Sequence, residues 1–493
     1  VAADRRRGLF RVVPALRGKY DAAQTTPDNY RHWANADRLS PDAAASPEVR
    51  AILRSRSRYE VANNSYARGI VLTLANDTIG TGPRLQMLTN DPAANTAVEQ
   101  AFMRWAKSVG LAEKLRTMRM ARAESGEAFA VLTHNPSVDG PVQLDVRLIE
   151  ADRVTTPLSR RDLMGGVDGI EFDRYGNPTR YHVLRHHPGD VGGLAAFDEI
   201  DRVPAASVVH LFRADRPGQS RGVPELTPAL PLFAQLRRYR LAVLAAAETA
   251  ADFALTLYTD APPSGEVDGV EAMDTFELEA RMATTLPQGW KLGQVKAEHP
   301  STNHVEFVKS ILAEIARCLN MPFNVAAGNS SGYNYASGRL DHQTYYKAIR
   351  VDQSHIADTV LDRIFRGWLN EAVLVEGLLP QWMRLRGALG DVEFRGQWFW
   401  DGTEHVDPAK EANAQATRLS SHTTTLAHEY ARQGRDWETE LRQRAKEVAL
   451  MNELGLSQSA TATPDDDEPD DDTNPEDHDD ATDRSTATAT PRN

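Results

Sequence analysis

From Arg339 to Arg366 the chain contains neither glycine nor proline, so nothing in that stretch interrupts an α-helix. A continuous helix there is roughly 40 Å long at about 1.5 Å per residue. That is long for a globular core, and the other segments have to be organised around it. Residues 320–338, just before it, are rich in Asn, Ser, Gly and Tyr and read as a loop. Before that loop, His304–Leu319 places Val305, Val308, Ile311, Leu312, Ile315 and Leu319 on one face of a helix.

Further upstream, an Ala-rich helix is predicted from Pro231 to Phe253, followed by a strand-like run to Tyr258. An acidic, Gly/Pro-containing segment with Glu266, Asp268, Glu271, Asp274, Glu277 and Glu279 then separates this run from His304 and reads as an inserted module. Residues 47–79 read as a helix or helix pair ending before Gly80-Thr81-Gly82-Pro83, and Ala94–Ser108 and Leu111–Glu124 as two more helices. Alternation then marks strands at 128–133, 142–149, 170–172, 181–184 and 207–212. Arg50, Arg54 and Arg58 lie four apart on one helix face. They read as a solvated face, with a subunit or nucleic-acid contact as the alternative. The fold class is α+β.

At 493 residues the chain has room for two to four domains. One cysteine, Cys318, excludes an intrachain disulfide framework and a multi-thiolate zinc site. The formal net charge is −13, but residues 461–493 hold twelve Asp/Glu against Arg484 and Arg492. The body is therefore nearly neutral and lacks a general basic field for gripping nucleic acid. The Asp/Pro/Thr tail after Gln458 cannot bury enough apolar surface to fold alone. The richest apolar run, 241–258, carries Glu248 and Asp252, so no membrane span is expected. Arg5, Arg6 and Arg7 have no apolar stretch behind them, which argues against a secretory signal.

Few motifs carry chemistry. Gly328-Asn329-Ser330-Ser331-Gly332 fits the GxSxG pattern of a nucleophilic serine, but a helix end and Met321-Pro322 precede it where a strand is required. A flexible polar loop is the simpler reading, with a serine hydrolase using Ser330 as the rival. His182, His186 and His187 lack an acidic partner at metal-site spacing. Neither a phosphate-binding GxxxxGK[ST] loop nor a GxGxxG turn opening a helix is present. No catalytic, metal or cofactor site is expected.

A set of collinear phrases carries a resemblance. They are Tyr20-Asp21-Ala22-Ala23; the stretch from Arg54 through Tyr59-Glu60-Val61-Ala62-Asn63-Asn64 to Gly69; Gly80-Thr81-Gly82; His210 to Arg213 with Arg216 to Pro224; Tyr333-Asn334-Tyr335-Ala336-Ser337; and Val406 to Ala412. In this order they resemble the lambda-type portal proteins of tailed bacteriophages, over roughly residues 20–447. Such proteins form twelve-subunit rings at one capsid vertex, where a terminase drives double-stranded DNA through the channel and head-completion proteins attach.

The resemblance implies an N-terminal arm (1–46), the first part of a wing (47–230), stem helices at 231–253 and 304–319, and a small α/β clip between them (254–303). It further implies a tunnel loop (320–338), a long helix with the rest of the wing (339–407), a helical crown (408–457) and an acidic tail (458–493). Asn324, Asn329, Ser330, Ser331, Tyr333 and Asn334 would line the channel. Glu266, Asp268, Glu271, Asp274, Glu277 and Glu279 would face a terminase or adaptor, and Arg237, Arg238 and Arg240 would contact DNA or a neighbouring subunit. Implied partners are other copies of the chain, DNA, terminase, a major capsid or scaffold protein and a head-completion adaptor, in a virion assembled in the bacterial cytoplasm. A capsid adaptor or scaffold without a channel is the remaining alternative.

Overall fold

The computed structural model describes residue 23 and residues 26–156, 166–190, 199–252, 256–259, 290–293, 304–383, 396–402 and 408–456. Two units are distinguished, 1–436 and 437–493. The acidic residues Glu266, Asp268, Glu271, Asp274, Glu277 and Glu279, and the Asp-rich tail, lie outside the described residues.

After a short helix α1 (Pro41–Ala44), the predicted helix pair is α2 (Pro47–Asn63) and α3 (Ser65–Ile79). Ser46 caps α2 by accepting from Val49 N, with Pro47 at the first helical position. Asn64 breaks the pair and caps α3 by accepting from the Tyr66 and Ala67 amides. Strand β1 (Arg84–Met87) leads to α4 (Pro92–Ser108) and α5 (Leu111–Ser125). Beyond it, β2 (Glu127–His134) is the centre of an antiparallel sheet, between β3 (Leu144–Ile149) and β7 (Val208–Phe212). A second antiparallel sheet has the order β4 (Ile170–Phe172), β5 (Pro178–Leu184), β6 (Ile200–Pro204).

Two amphipathic helices follow, α6 (Leu230–Asp252) and α7 (His304–Cys318), with the antiparallel pair β8 (Thr256–Thr259) and β9 (Trp290–Gly293) between them in sequence. A five-residue helix α8 (Phe323–Ala327) comes next, then α9 (Tyr335–Ile356), a π-helical turn at Ala357–Leu361, and α10 (Asp362–Ala372). The long helix thus starts earlier and ends later than the Gly/Pro-free run. Gly338 sits inside its first turn, where Asn334 Oδ1 accepts from the Ser337 amide and fixes the start. Strand β10 (Gly396–Phe399) pairs with β1 across more than 300 residues, in the register Leu85 to Trp398. Helices α11 (Pro408–Ser420) and α12 (Leu426–Arg432) complete the first unit, and α13 (Trp437–Glu453) belongs to the second.

Among the described residues, three apolar clusters hold the first unit. The largest packs Phe102 and Trp105 of α4 against Phe365 and Trp368 of α10, with ring centroids 5.3–6.4 Å apart. A second joins α3, α6, α7 and α9 through Ile70, Phe233, Ile315 and Tyr345. The third lies between the two three-stranded sheets, around Phe129 and Tyr181. Among the described residues, no helix is long and apolar enough to cross a membrane.

Candidate functional site

Helix α7 buries Ile311, Leu312, Ile315 and Ala316, with Val308 and Cys318 packed beside them, and exposes its opposite face. Asn320 ends it in the left-handed region, at φ 52°. Asn and Asp enter that region more readily than most residues because a short side chain hydrogen-bonds locally. After Met321-Pro322 the chain forms α8, closed by Gly328 at φ 61°. The exposed loop that follows is held by its own side chains: Asn329 Oδ1 accepts from Ser331 N at 2.9 Å, and Tyr333 N donates to Ser330 O at 3.2 Å.

Of the six residues predicted to share a lining, Asn329, Ser330, Ser331 and Asn334 are exposed and Tyr333 is half-buried. Asn324 is not with them. It lies on α8, 7% exposed, with its Nδ2 3.0 Å from His342 Nε2 on α9. The loop carries no Lys or Arg from Asn320 to Gly338. Because α8 rather than a strand leads into Ser330, the strand–turn–helix setting of a nucleophilic serine is missing at this position.

The three arginines on α6 separate. Arg237 pairs with Glu60 of α2, and its guanidinium lies 5.2 Å from the Tyr59 ring centre. Arg238 and Arg240 are exposed and have no ion-pair partner among the described residues. Between them Tyr239 stacks on His304 at 5.3 Å and packs on Phe307 at 4.5 Å, tying α6 to the start of α7. Leu241, Leu244 and Val305 stay exposed on the outer surface of the pair.

Helix α2 corrects a sequence expectation. Arg50 and Arg54 are buried, at 0% and 6% exposure, instead of forming a solvated face. Arg50 pairs with Asp168, and Arg54 reaches Asp152 at 3.1 Å and Glu127 at 3.7 Å. Arg58 is half-buried and reaches Asp152 at 2.7 Å and Glu150 at 3.1 Å. Glu127 also accepts from Arg221 Nη2 at 2.6 Å and lies 3.0 Å from His210 Nε2. Full burial alone would raise the Glu127 carboxyl, but Arg221 and His210 hold it well below the usual range. The carboxylates sit 73 or more residues from their arginine partners in sequence, so helical spacing gave no sign of them.

A second network joins α5 to α9. Arg119 and Arg122 of α5 both bridge Glu225 and Asp352, at 2.7–3.0 Å. Burial acts to raise Glu225, yet Arg119, Arg122 and Arg213 together bring it to about 2. Sequence reading missed this set, although three-residue spacing places Arg119 and Arg122 on one face of α5.

The histidines also scatter. His182 is buried against Glu171 at 2.7 Å. The acidic partners absent from the local spacing come from another segment: ligand atoms of Glu150, Asp152 and His187 lie within 4.8 Å of one another. The Arg58 guanidinium already supplies positive charge to both carboxylates.

Comparison with known proteins matches residues 27–353 to the model of a family described as phage portal protein, lambda family. A protein called "Probable portal protein" from Halomonas phage phiHAP-1 is 27% identical over 431 residues, covering 82% of this chain and 81% of that protein. Among solved structures, a chain of the virion of a native gene transfer agent particle is similar with a TM-score of 0.44 at 16% identity, covering 82% of this chain and 97% of that one. A chain from the neck of the empty particle gives a TM-score of 0.46 at 16% identity, covering 79% and 94%.

Proposed function

The chain belongs to the lambda family of phage portal proteins, and from that premise we propose that it forms a twelve-membered ring at one capsid vertex. Double-stranded DNA enters during packaging and leaves during ejection through the axial channel. The chain is a conduit and not an enzyme; nucleotide hydrolysis resides in the terminase, in keeping with the missing phosphate-binding loop. In this reading 47–230 and 339–407 form the wing, 231–253 and 304–319 the stem, 254–303 the clip and 408–457 the crown.

The observation that carries the reading is the loop between α8 and α9. Each phosphate neutralised by Lys or Arg adds a salt-dependent grip on DNA, so a surface past which a duplex slides works best without fixed cations. Asn329, Ser330, Ser331 and Asn334 offer neutral, exposed hydrogen-bonding groups and no charge. Arg238 and Arg240, exposed and without an ion-pair partner among the described residues, are the cations of the α6 trio available to phosphate or to a neighbouring subunit. The acidic clip residues Glu266, Asp268, Glu271, Asp274, Glu277 and Glu279 repel DNA in the bore and attract basic surfaces of a terminase or adaptor. The virion is the resulting location, with capsid or scaffold protein around the ring.

Deleting Asn329–Tyr333 tests the loop. Rings of the deletion variant are expected to assemble, while the fraction of capsids that retain a full-length genome falls. Packaging and retention at the wild-type level would remove the role from the loop.

A further inference from the structure

The body of the chain has no general basic field, so a grip on a polyanion has to come from a local run of unpaired cations. On α13 the exposed arginines are neutralised within the helix: Arg442 pairs with Glu438 and Arg444 with Glu447, each at 3.4 Å. Helix α9 differs. Its outer side carries Arg339, Gln343, Lys347, Arg350 and Ser354, all exposed, and at about 100° per residue these five fall within one strip roughly 80° wide. Arg339, Lys347 and Arg350 form no ion pair among the described residues. Arg350 donates from Nε to Tyr346 O at 3.3 Å, which leaves its two outer nitrogens free. The acidic residues of the helix are Asp341 and Asp352. Both fall on the side away from the strip, and Asp352 is held by Arg119 and Arg122. The strip therefore carries three positive charges and no negative one.

We propose that this strip binds the phosphate backbone of double-stranded DNA. From Arg339 to Arg350 the helix advances about 16 Å. Over that distance one strand of a duplex presents about five phosphates, one per 3.4 Å, so each cation can meet a phosphate of its own. Arg, Lys, Gln and Ser are side chains that contact phosphate in protein–DNA interfaces, and none of the five brings a negative group. The layout also disfavours a protein partner. Protein interfaces place apolar groups at the centre and charge at the rim; here cations run the length of the strip, and Leu340 and Val351, each 65% exposed, border it along one side. Asn334, at the end of the neutral loop, caps α9, so the strip begins where the loop stops. A duplex that slides past the loop without meeting fixed charge is offered a salt-sensitive hold on the next helix. The identity of the ligand rests on the conduit reading, which the strip deepens.

Binding of a fluorescently labelled duplex to the purified full chain, measured across a sodium chloride series, tests the strip. Each neutralised phosphate contributes about 0.9 to the slope of log K against log salt. Replacing all three cations (Arg339→Gln, Lys347→Gln and Arg350→Gln) should therefore make the slope shallower by about 2.7 for each chain in contact, and Arg350→Gln alone by about 0.9. The positions are exposed and unpaired, so thermal unfolding should stay as in the wild type. A wild-type slope in the folded triple variant would overturn the proposal. So would wild-type binding that does not weaken with salt, or a slope that responds to Arg238→Gln with Arg240→Gln on α6 and not to the α9 substitutions. Electron micrographs of the same samples separate the strip from the conduit: rings with an unchanged slope remove the strip and keep the conduit, whereas the expected change in slope on chains that form no ring keeps the strip and removes the conduit.

Discussion

Helices α2 and α10 share one geometry and bury opposite chemistry. Helix α10 turns Ile364, Phe365, Trp368 and Leu369 inward, all at 5% exposure or less. Helix α2 turns Arg50, Arg54, Ser57 and Glu60 inward and leaves Val49, Ile52 and Tyr59 at 40–55% exposure. A 3.6-residue period defines two faces but does not say which one is covered. That depends on what waits across the gap. For α10 it is the rings of α4; for α2 it is Glu127, Asp152 and Asp168. Apolar burial stabilises in proportion to area, at about 25 cal/mol per Å². A buried ion network contributes little net stability when complete and costs much when one member is lost.

The sharpest way to break this contrast is to remove one charge. Glu127→Ala leaves the buried Arg221 with only Asp168, which Arg50 shares, to balance it, and should destabilise the fold by about 3–5 kcal/mol in denaturant unfolding. Replacing Arg221 by Met in the same chain should recover a large part of that loss. A double variant as unstable as the single one would mean that the charges themselves are required. On the apolar side, Trp368→Ala should also cost about 3–5 kcal/mol, without a matching rescue.

Acid separates the two regions further. The Glu225 carboxyl is lowered from its ordinary 4.5 to about 2. Its contribution is therefore complete above about pH 4.5 and disappears as the pH falls toward 2. Linkage places that loss on the order of 3 kcal/mol. Amide exchange at decreasing pH should release α5 and its contacts with Glu225 before the aromatic α4–α10 pair, and simultaneous release would contradict the separation. The smallest effect is expected on the outer surface of α2. Ile52→Ser should change unfolding of the single chain by no more than about 0.5 kcal/mol, whereas a loss near 2 kcal/mol would show that this face is covered within the chain.

These contrasts explain what could be read from sequence. The apolar stripe of α7 and the Gly/Pro-free run behind α9 and α10 were legible because their spacing is local. The orientation of α2 was not, since its partners lie on β2 and near β3 and β4. The β1–β10 pair was missed for the same reason: each strand is four residues long, and their pairing bridges the rest of the first unit. Helix α8 was hidden in a stretch rich in turn-forming residues. Around the candidate site, the uncharged character of the loop was visible in composition, while the Arg119/Arg122 network needed Glu225, ahead of α6, and Asp352, on α9, brought together across 127 residues of sequence.

The most direct test of a ring-forming conduit is the native mass of the purified chain, with electron micrographs of the same fraction. A closed ring of twelve 54.5-kDa chains, with an axial hole wide enough for a duplex of about 20 Å, is the expected result. A 54.5-kDa monomer that stays monomeric with its capsid and scaffold proteins present would contradict it.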